Sequence, residues 1–182
     1  MSECGQVIGD NTDGIGLVND IKDNLNWAIE NKRILLLGAG GAVRGVLEPL
    51  INERPKSITI ANRTLSKATT LADDFSDIFT IETSSFNELN KEYDLIINGT
   101  SASLSGDLPP LPEGITKKET CCYDMMYAKD LTPFLLWSKQ QGVKNISDGL
   151  GMLVCQGAES FSIWRNVRPK TKAVIKQLRD TI

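Results

Sequence analysis

Arg33-Ile34-Leu35-Leu36-Leu37 runs straight into Gly38-Ala39-Gly40-Gly41-Ala42-Val43-Arg44, and this junction constrains the fold more than any other stretch. An apolar strand feeding a glycine turn and then an amphipathic helix leaves backbone N–H groups and the positive helix end free to hold a phosphate. Gly38 suits the tight turn and Gly40 the close approach of the phosphates, with Ala39, Gly41 and Ala42 completing the cradle. Val43 stands where the third glycine of G-x-G-x-x-G belongs, so the fingerprint is incomplete and draws its meaning from its surroundings.

Those surroundings lie about twenty residues on, at the end of a second strand, where a site for an unphosphorylated ribose would carry an Asp or Glu. Ser57 to Ala61 ends instead in Asn62-Arg63-Thr64, with no acid. Arg63, with Lys67 one helical turn later and Thr64 as an N-cap, would surround a ribose 2′-phosphate with positive charge and donors. The combination predicts a site for NADP. The alternative is an ordinary strand-to-helix turn beside a solvated arginine.

The rest of the chain repeats the rhythm. Val18, Ile21, Leu25, Ala28 and Ile29 predict an amphipathic helix over Gly14 to Glu30. Val43, Val46, Leu47, Leu50 and Ile51 predict another, kinked by Pro49. Then follow a helix over Leu65 to Phe75, strands over Phe79 to Glu82 and Asp94 to Asn98, and a Gly- and Pro-rich loop over Gly106 to Gly114. The remaining elements are a strand over Thr120 to Asp124, a helix over Thr132 to Gln141, a strand over Lys144 to Ile146, and helices over Gly149 to Arg165 and Pro169 to Arg179. Strands alternating with helices predict an α/β fold, a Rossmann-like doubly wound parallel sheet of six strands in the order 3-2-1-4-5-6. Ligands of such sheets lie at the carboxyl ends of the strands. That rule selects the segments Asn98-Gly99-Thr100-Ser101 and Asp124-Met125-Met126-Tyr127.

Composition narrows the function further. A net charge of −3 leaves no basic surface for nucleic acid, and no run of about eighteen apolar residues offers a membrane helix. The polar start Met1-Ser2-Glu3-Cys4 has no signal-peptide pattern, which predicts a cytoplasmic protein. Cys4, Cys121, Cys122 and Cys155 lack the spacing of a zinc site or a disulfide framework, so no metal is expected. With no histidine, imidazole-based catalysis within this chain is excluded.

In order along the chain stand Gly9-Asp10-Asn11-Thr12-Asp13-Gly14, Asn62-Arg63-Thr64, Asn98-Gly99-Thr100-Ser101, Tyr123-Asp124-Met125-Met126-Tyr127 and Asp148-Gly149-Leu150-Gly151-Met152-Leu153-Val154-Cys155-Gln156. From about Gly5 to the C-terminus this series resembles the NADP-binding domain of the shikimate dehydrogenase family. The resemblance implies reduction of 3-dehydroshikimate to shikimate by NADPH, with a Lys and an Asp handling the proton at the reacting oxygen. Asp13 matches that Asp, and it could equally cap the helix that follows. The matching Lys belongs to a preceding substrate domain.

The same likeness makes Tyr127 and Gln156 substrate contacts, against surface or half-buried readings, puts Gly149 and Met152 along the nicotinamide, and counts Met125 among the cofactor contacts. Asn98, Thr100 and Ser101 would touch the cofactor, although Thr100 and Ser101 also suit a turn. Residues 1–13 read as the remnant of the preceding domain with its hinge, and 14–182 as the NADP-binding domain. The chain is therefore expected to be a shortened form or an incomplete reading frame, whose Met1 to Cys4 need not be native. Gln6 to Ile8 would then be a strand without sheet partners, prone to self-association. A relative acting on quinate, or a non-catalytic NADP-binding module, are the alternatives.

Overall fold

The structure is a computed structural model that describes residues 2–3, 6–7, 9–102 and 106–181. Its main sheet is built from β1 (Arg33–Leu37), β2 (Ser57–Ala61), β3 (Ile81–Ser84), β4 (Leu95–Asn98), β5 (Cys121–Asp124) and β6 (Asn145–Ser147). All neighbouring pairs are parallel, in the order β3-β2-β1-β4-β5-β6, as the alternation predicts. The helices are α1 (Asp13–Asn19), α2 (Gly41–Asn52), α3 (Leu65–Asp73), α4 (Pro133–Gln140), α5 (Leu150–Arg165) and α6 (Lys172–Thr181).

The continuous apolar run of β1 has a direct cause, because successive side chains point to opposite faces and both faces are covered. Ile34 and Leu36 join a cluster with Leu17, Val46, Leu50, Ile60 and Ile97. Leu35 and Leu37 join the opposite one, with Ile96, Cys122, Phe134 and Leu135. Burial pushes the thiols of half-buried Cys121 and buried Cys122 up to about 11 and about 12, which leaves both poor nucleophiles.

Four expectations change. The helix predicted over Gly14 to Glu30 is shorter: α1 gives way to a π-helical turn over Asp20–Asn24, and Asn26 takes a left-handed φ of 55° that ends the coil. The third strand is shifted from Phe79–Glu82 to Ile81–Ser84, because the turn after α3 runs on until Phe79 N–H bonds the Phe75 carbonyl at 3.0 Å. Thr64 occupies the N-cap of α3 but its side chain makes no capping bond. Gln6–Val7, expected to lack a partner, pairs antiparallel with Ser2–Glu3, while Cys4 and Ile8 lie outside the described residues.

Pro49 sits inside α2 without ending it. Having no N–H, it leaves the Gly45 carbonyl without a helical donor. α1 covers that spot: a Cβ on Gly14 would lie 2.5 Å from the Gly45 oxygen and 2.5 Å from Pro49 Cγ. On its other side α1 meets α5, where a Cβ on Gly16 would lie 2.7 Å from both the backbone N and the Cβ of Gln156. Two absent methyl groups therefore let α1 wedge between α2 and α5.

At the opposite end of the sheet Asp94 accepts from Arg33 N–H at 2.8 Å, from Arg33 Nε at 3.3 Å and from Lys117 Nζ. Burial works against its ionisation, but the Lys117 and Arg33 donors outweigh it and hold the carboxyl well below the usual carboxylate range. A depressed native pKa stabilises the fold fully above the unfolded value of about 3.9, and the contribution is lost gradually below that value, as pH falls through the depressed native one. Asp94→Asn should therefore cost about 1–3 kcal/mol at pH 7 and less, but not nothing, at pH 3. Urea midpoints at the two pH values check this, and an equal difference at both would refute it.

Candidate functional site

A cleft of about 620 Å³ opens at the carboxyl ends of β1, β2 and β4. Gly38 begins its floor with φ of 104°, a left-handed value that favours glycine, and its N–H bonds the Ala61 carbonyl at 2.8 Å. The turn thus joins the ends of β1 and β2. Gly40 caps α2 and Gly41 starts it, and a Cβ on either would meet nothing within 4 Å. Open space faces the helix N-terminus where a phosphate would lie.

Arg63, Thr64 and Lys67 are exposed and line the same cleft. Asn62 shapes their turn, its Nδ2 donating to the Thr64 carbonyl at 2.8 Å while its N–H bonds the Ser84 carbonyl at 3.2 Å. The far wall comes from Phe86, Leu108, Pro109 and Pro110. Sequence reasoning took the last three only as loop, and the stiff Pro109-Pro110 pair was the signal available for them.

The Asn98 segment divides into support and surface. Asn98 is fully buried and spends its side chain on the fold: Nδ2 donates to Asp124 Oδ1 at 3.1 Å, and Oδ1 accepts from Thr100 N–H at 3.1 Å and Thr100 Oγ1 at 2.8 Å. Asp124, also buried, accepts from Met126 N–H at 3.1 Å and Thr132 Oγ1 at 2.6 Å. This network locks the ends of β4 and β5 together. Gly99, Thr100 and Ser101 line the cleft in front of it.

Behind Gly99 stands Met125, whose Sδ would be 3.2 Å from a Cβ there. Gly149 is buried, and a Cβ on it would fall 2.0 Å from the Met125 carbonyl oxygen. The Met125 backbone thus fills the space that any side chain at position 149 would need. Met152 packs, half-buried, on the cluster of α1 and α2.

Asp13 is exposed as the first residue of α1 and does not cap it, because the Asn11 side chain accepts the Asp13 N–H at 3.1 Å. Next to it Thr12 Oγ1 lies 3.0 Å from the Gln156 carbonyl, 3.2 Å from Gln156 Oε1 and 2.9 Å from Ser160 Oγ. Thr12 was not singled out from sequence, and no local signal marks it, since its partners lie on α5. Asp13 and Gln156 are thus brought to one edge. Tyr127 is exposed on the turn after β5, and no described hydrogen bond joins it to them.

Among the described residues no group of acidic residues and cysteines could hold a metal, and no helix is long and apolar enough to cross a membrane. A family profile for "Shikimate / quinate 5-dehydrogenase" matches residues 19–105, and one for "Shikimate 5'-dehydrogenase C-terminal domain" matches residues 149–179. The shikimate dehydrogenase (NADP(+)) of Cellvibrio japonicus is 55% identical over 96% of this chain and 63% of its own length. That of Saccharophagus degradans is 46% identical over 98% of this chain and 67% of its own. The crystal structure of shikimate 5-dehydrogenase from Thermus thermophilus in complex with NADP(H) and shikimate superposes with a TM-score of 0.82 at 28% identity, over all of this chain and 67% of that one. The chain thus spans about two thirds of the length of the relatives it matches. An open glycine turn under a basic strand end, an exposed aspartate registered to α5, and these matches along nearly the whole chain lead to one conclusion: the chain belongs to the shikimate dehydrogenase family.

Proposed function

We propose that this chain is the NADP-binding part of a shikimate dehydrogenase, taking part in the NADPH-dependent reduction of 3-dehydroshikimate to shikimate. One observation carries the reading: Arg63 and Lys67 face the cleft of the open Gly40-Gly41 turn, and no acid stands at the end of β2. The turn of Gly38 to Ala42 receives the diphosphate, and Arg63, Thr64 and Lys67 receive the 2′-phosphate. The nicotinamide then extends past Gly99 and Thr100 toward Met125 and Met152.

When bound, NADPH supplies the hydride. The chain's own task is orientation and proton handling. Asp13 stands at the edge to exchange a proton at the reacting oxygen together with a lysine from the substrate-binding part, and such help is typically worth about 10²–10⁴-fold. Gln156, held through Thr12 to the start of α1, and Tyr127 reach the substrate. Free thiols at Cys121, Cys122 and Cys155 suit the cytoplasmic setting that we infer as well. The matched profile's description also names quinate, so a quinate-using relative is the second reading, and parallel assays with both substrates separate the two.

Calorimetric titration tests the cofactor reading. NADP should bind much more tightly than NAD, and equal affinities would sink the claim. Arg63→Ala should weaken NADP by about ten- to a hundredfold while leaving NAD unchanged, the value of a charge-assisted contact.

A further inference from the structure

α6 has no buried side chain, yet its last turn reaches under the start of α5. Arg179 donates from NH1 to Asp148 Oδ2 at 2.7 Å and from NH2 to Asp148 Oδ1. Asp148 is nearly buried, and its Oδ1 also accepts the Leu150 N–H at 3.3 Å, so this carboxylate caps α5 from below.

A second carboxylate lies beside it. Asp20 is 2% exposed and accepts from Tyr123 Oη at 2.7 Å and Asn24 Nδ2 at 2.8 Å. It presses so closely on α5 that a Cβ on Gly151 would lie 2.0 Å from its Oδ1. Burial pushes Asp20 above its ordinary value, the charge of Asp148 adds to this, and Arg179 pulls the other way. Arg179 is itself exposed, but its removal leaves the nearly buried Asp148 carboxylate without its counter-charge. Without Arg179 two neighbouring carboxylates would repel each other beneath one helix turn.

That turn connects mechanically to the cleft. Asp148 precedes Gly149, Gly149 abuts the Met125 carbonyl, Gly149 N–H bonds the Met126 carbonyl at 3.0 Å, and Met125 Sδ backs Gly99 at the cleft wall. We propose that Arg179 is a positioning residue: its bidentate pair with Asp148 fixes the Asp148-Gly149 turn and, through Met125, the nicotinamide end of the cleft. The adenosine end, built on α2 and α3, is independent of it. This inference rests on the NADP reading above.

The test compares NADP with adenosine 2′,5′-bisphosphate, which reaches only the Arg63 end, using calorimetry on the full chain. Arg179→Gln should weaken NADP by about tenfold and leave the bisphosphate unchanged, whereas general destabilisation would weaken both. Adding Asp148→Asn removes the uncompensated charge and keeps an oxygen for Leu150 N–H, so the double variant should recover most of the NADP affinity. Equal loss for both ligands, no loss at all, or no recovery in the double variant would each overturn the proposal. Failure of the unaltered chain to bind NADP would instead overturn the cofactor reading, and this proposal with it.

Discussion

Mixed with NADP and shikimate at high protein concentration, the chain alone is expected to bind the cofactor and yet form no measurable NADPH. Binding survives because the turn of Gly38 to Ala42 and the Arg63 end belong to one sheet with its own core on both faces. Turnover is expected to fail on the reading proposed above, which has exposed Asp13 share its proton with a lysine of a substrate-binding part, because this chain spans only 63% of the length of the Cellvibrio japonicus relative. A misplacement of about 1 Å can already cost 10²-fold. The measurement is NADPH absorbance with shikimate, with and without the substrate-binding part of a relative added separately. Turnover at the rate of a full-length relative would mean that Asp13 needs no partner and would overturn the two-part site.

Gly149→Ala should be among the most damaging single substitutions in the fold. The backbone there has φ of −78°, which any residue adopts, so the cost is purely steric. The added Cβ would lie 2.0 Å from the Met125 oxygen and 2.6 Å from its carbonyl carbon, both backbone atoms that cannot rotate away. Overpacking typically costs about 1–3 kcal/mol, and an overlap against rigid backbone should reach about 3 kcal/mol or more. Gly40→Ala is the contrasting control, since its Cβ meets nothing within 4 Å. It should leave the urea midpoint nearly unchanged while filling the space a phosphate needs. If the two variants prove equally stable, the close approach at Gly149 is not what holds the β6–α5 turn in place.

The sheet order was readable because β1, β2, β5 and β6 are short and each followed by a helix, and handedness rules then leave few topologies. The cradle was readable because its parts lie within one strand-turn-helix unit and the strand after it. What escaped depends on partners far away in the chain. Thr12 meets Gln156 across 144 positions, and Asp20 meets Tyr123 across 103. From its neighbours alone Asp20 reads as the wet face of a longer helix, when it is buried and its π turn ends that helix. The glycines divide the same way. Gly38 announces itself by its place in a turn, whereas Gly14, Gly16, Gly149 and Gly151 are demanded by other elements pressing on them.

The wedge of α1 has a consequence for how the complete site must be assembled. With Gly14 seated on α2 and Gly16 on α5, the Asp13 backbone cannot shift relative to the phosphate turn without prising two helices apart, and only side-chain rotation remains to its carboxylate. The acid and the cofactor cradle thus form a single jig of fixed gauge. On the function proposed above, any alignment error between proton and hydride beyond the reach of the Asp13 side chain would be taken up on the substrate's side, by whatever presents the substrate to that edge.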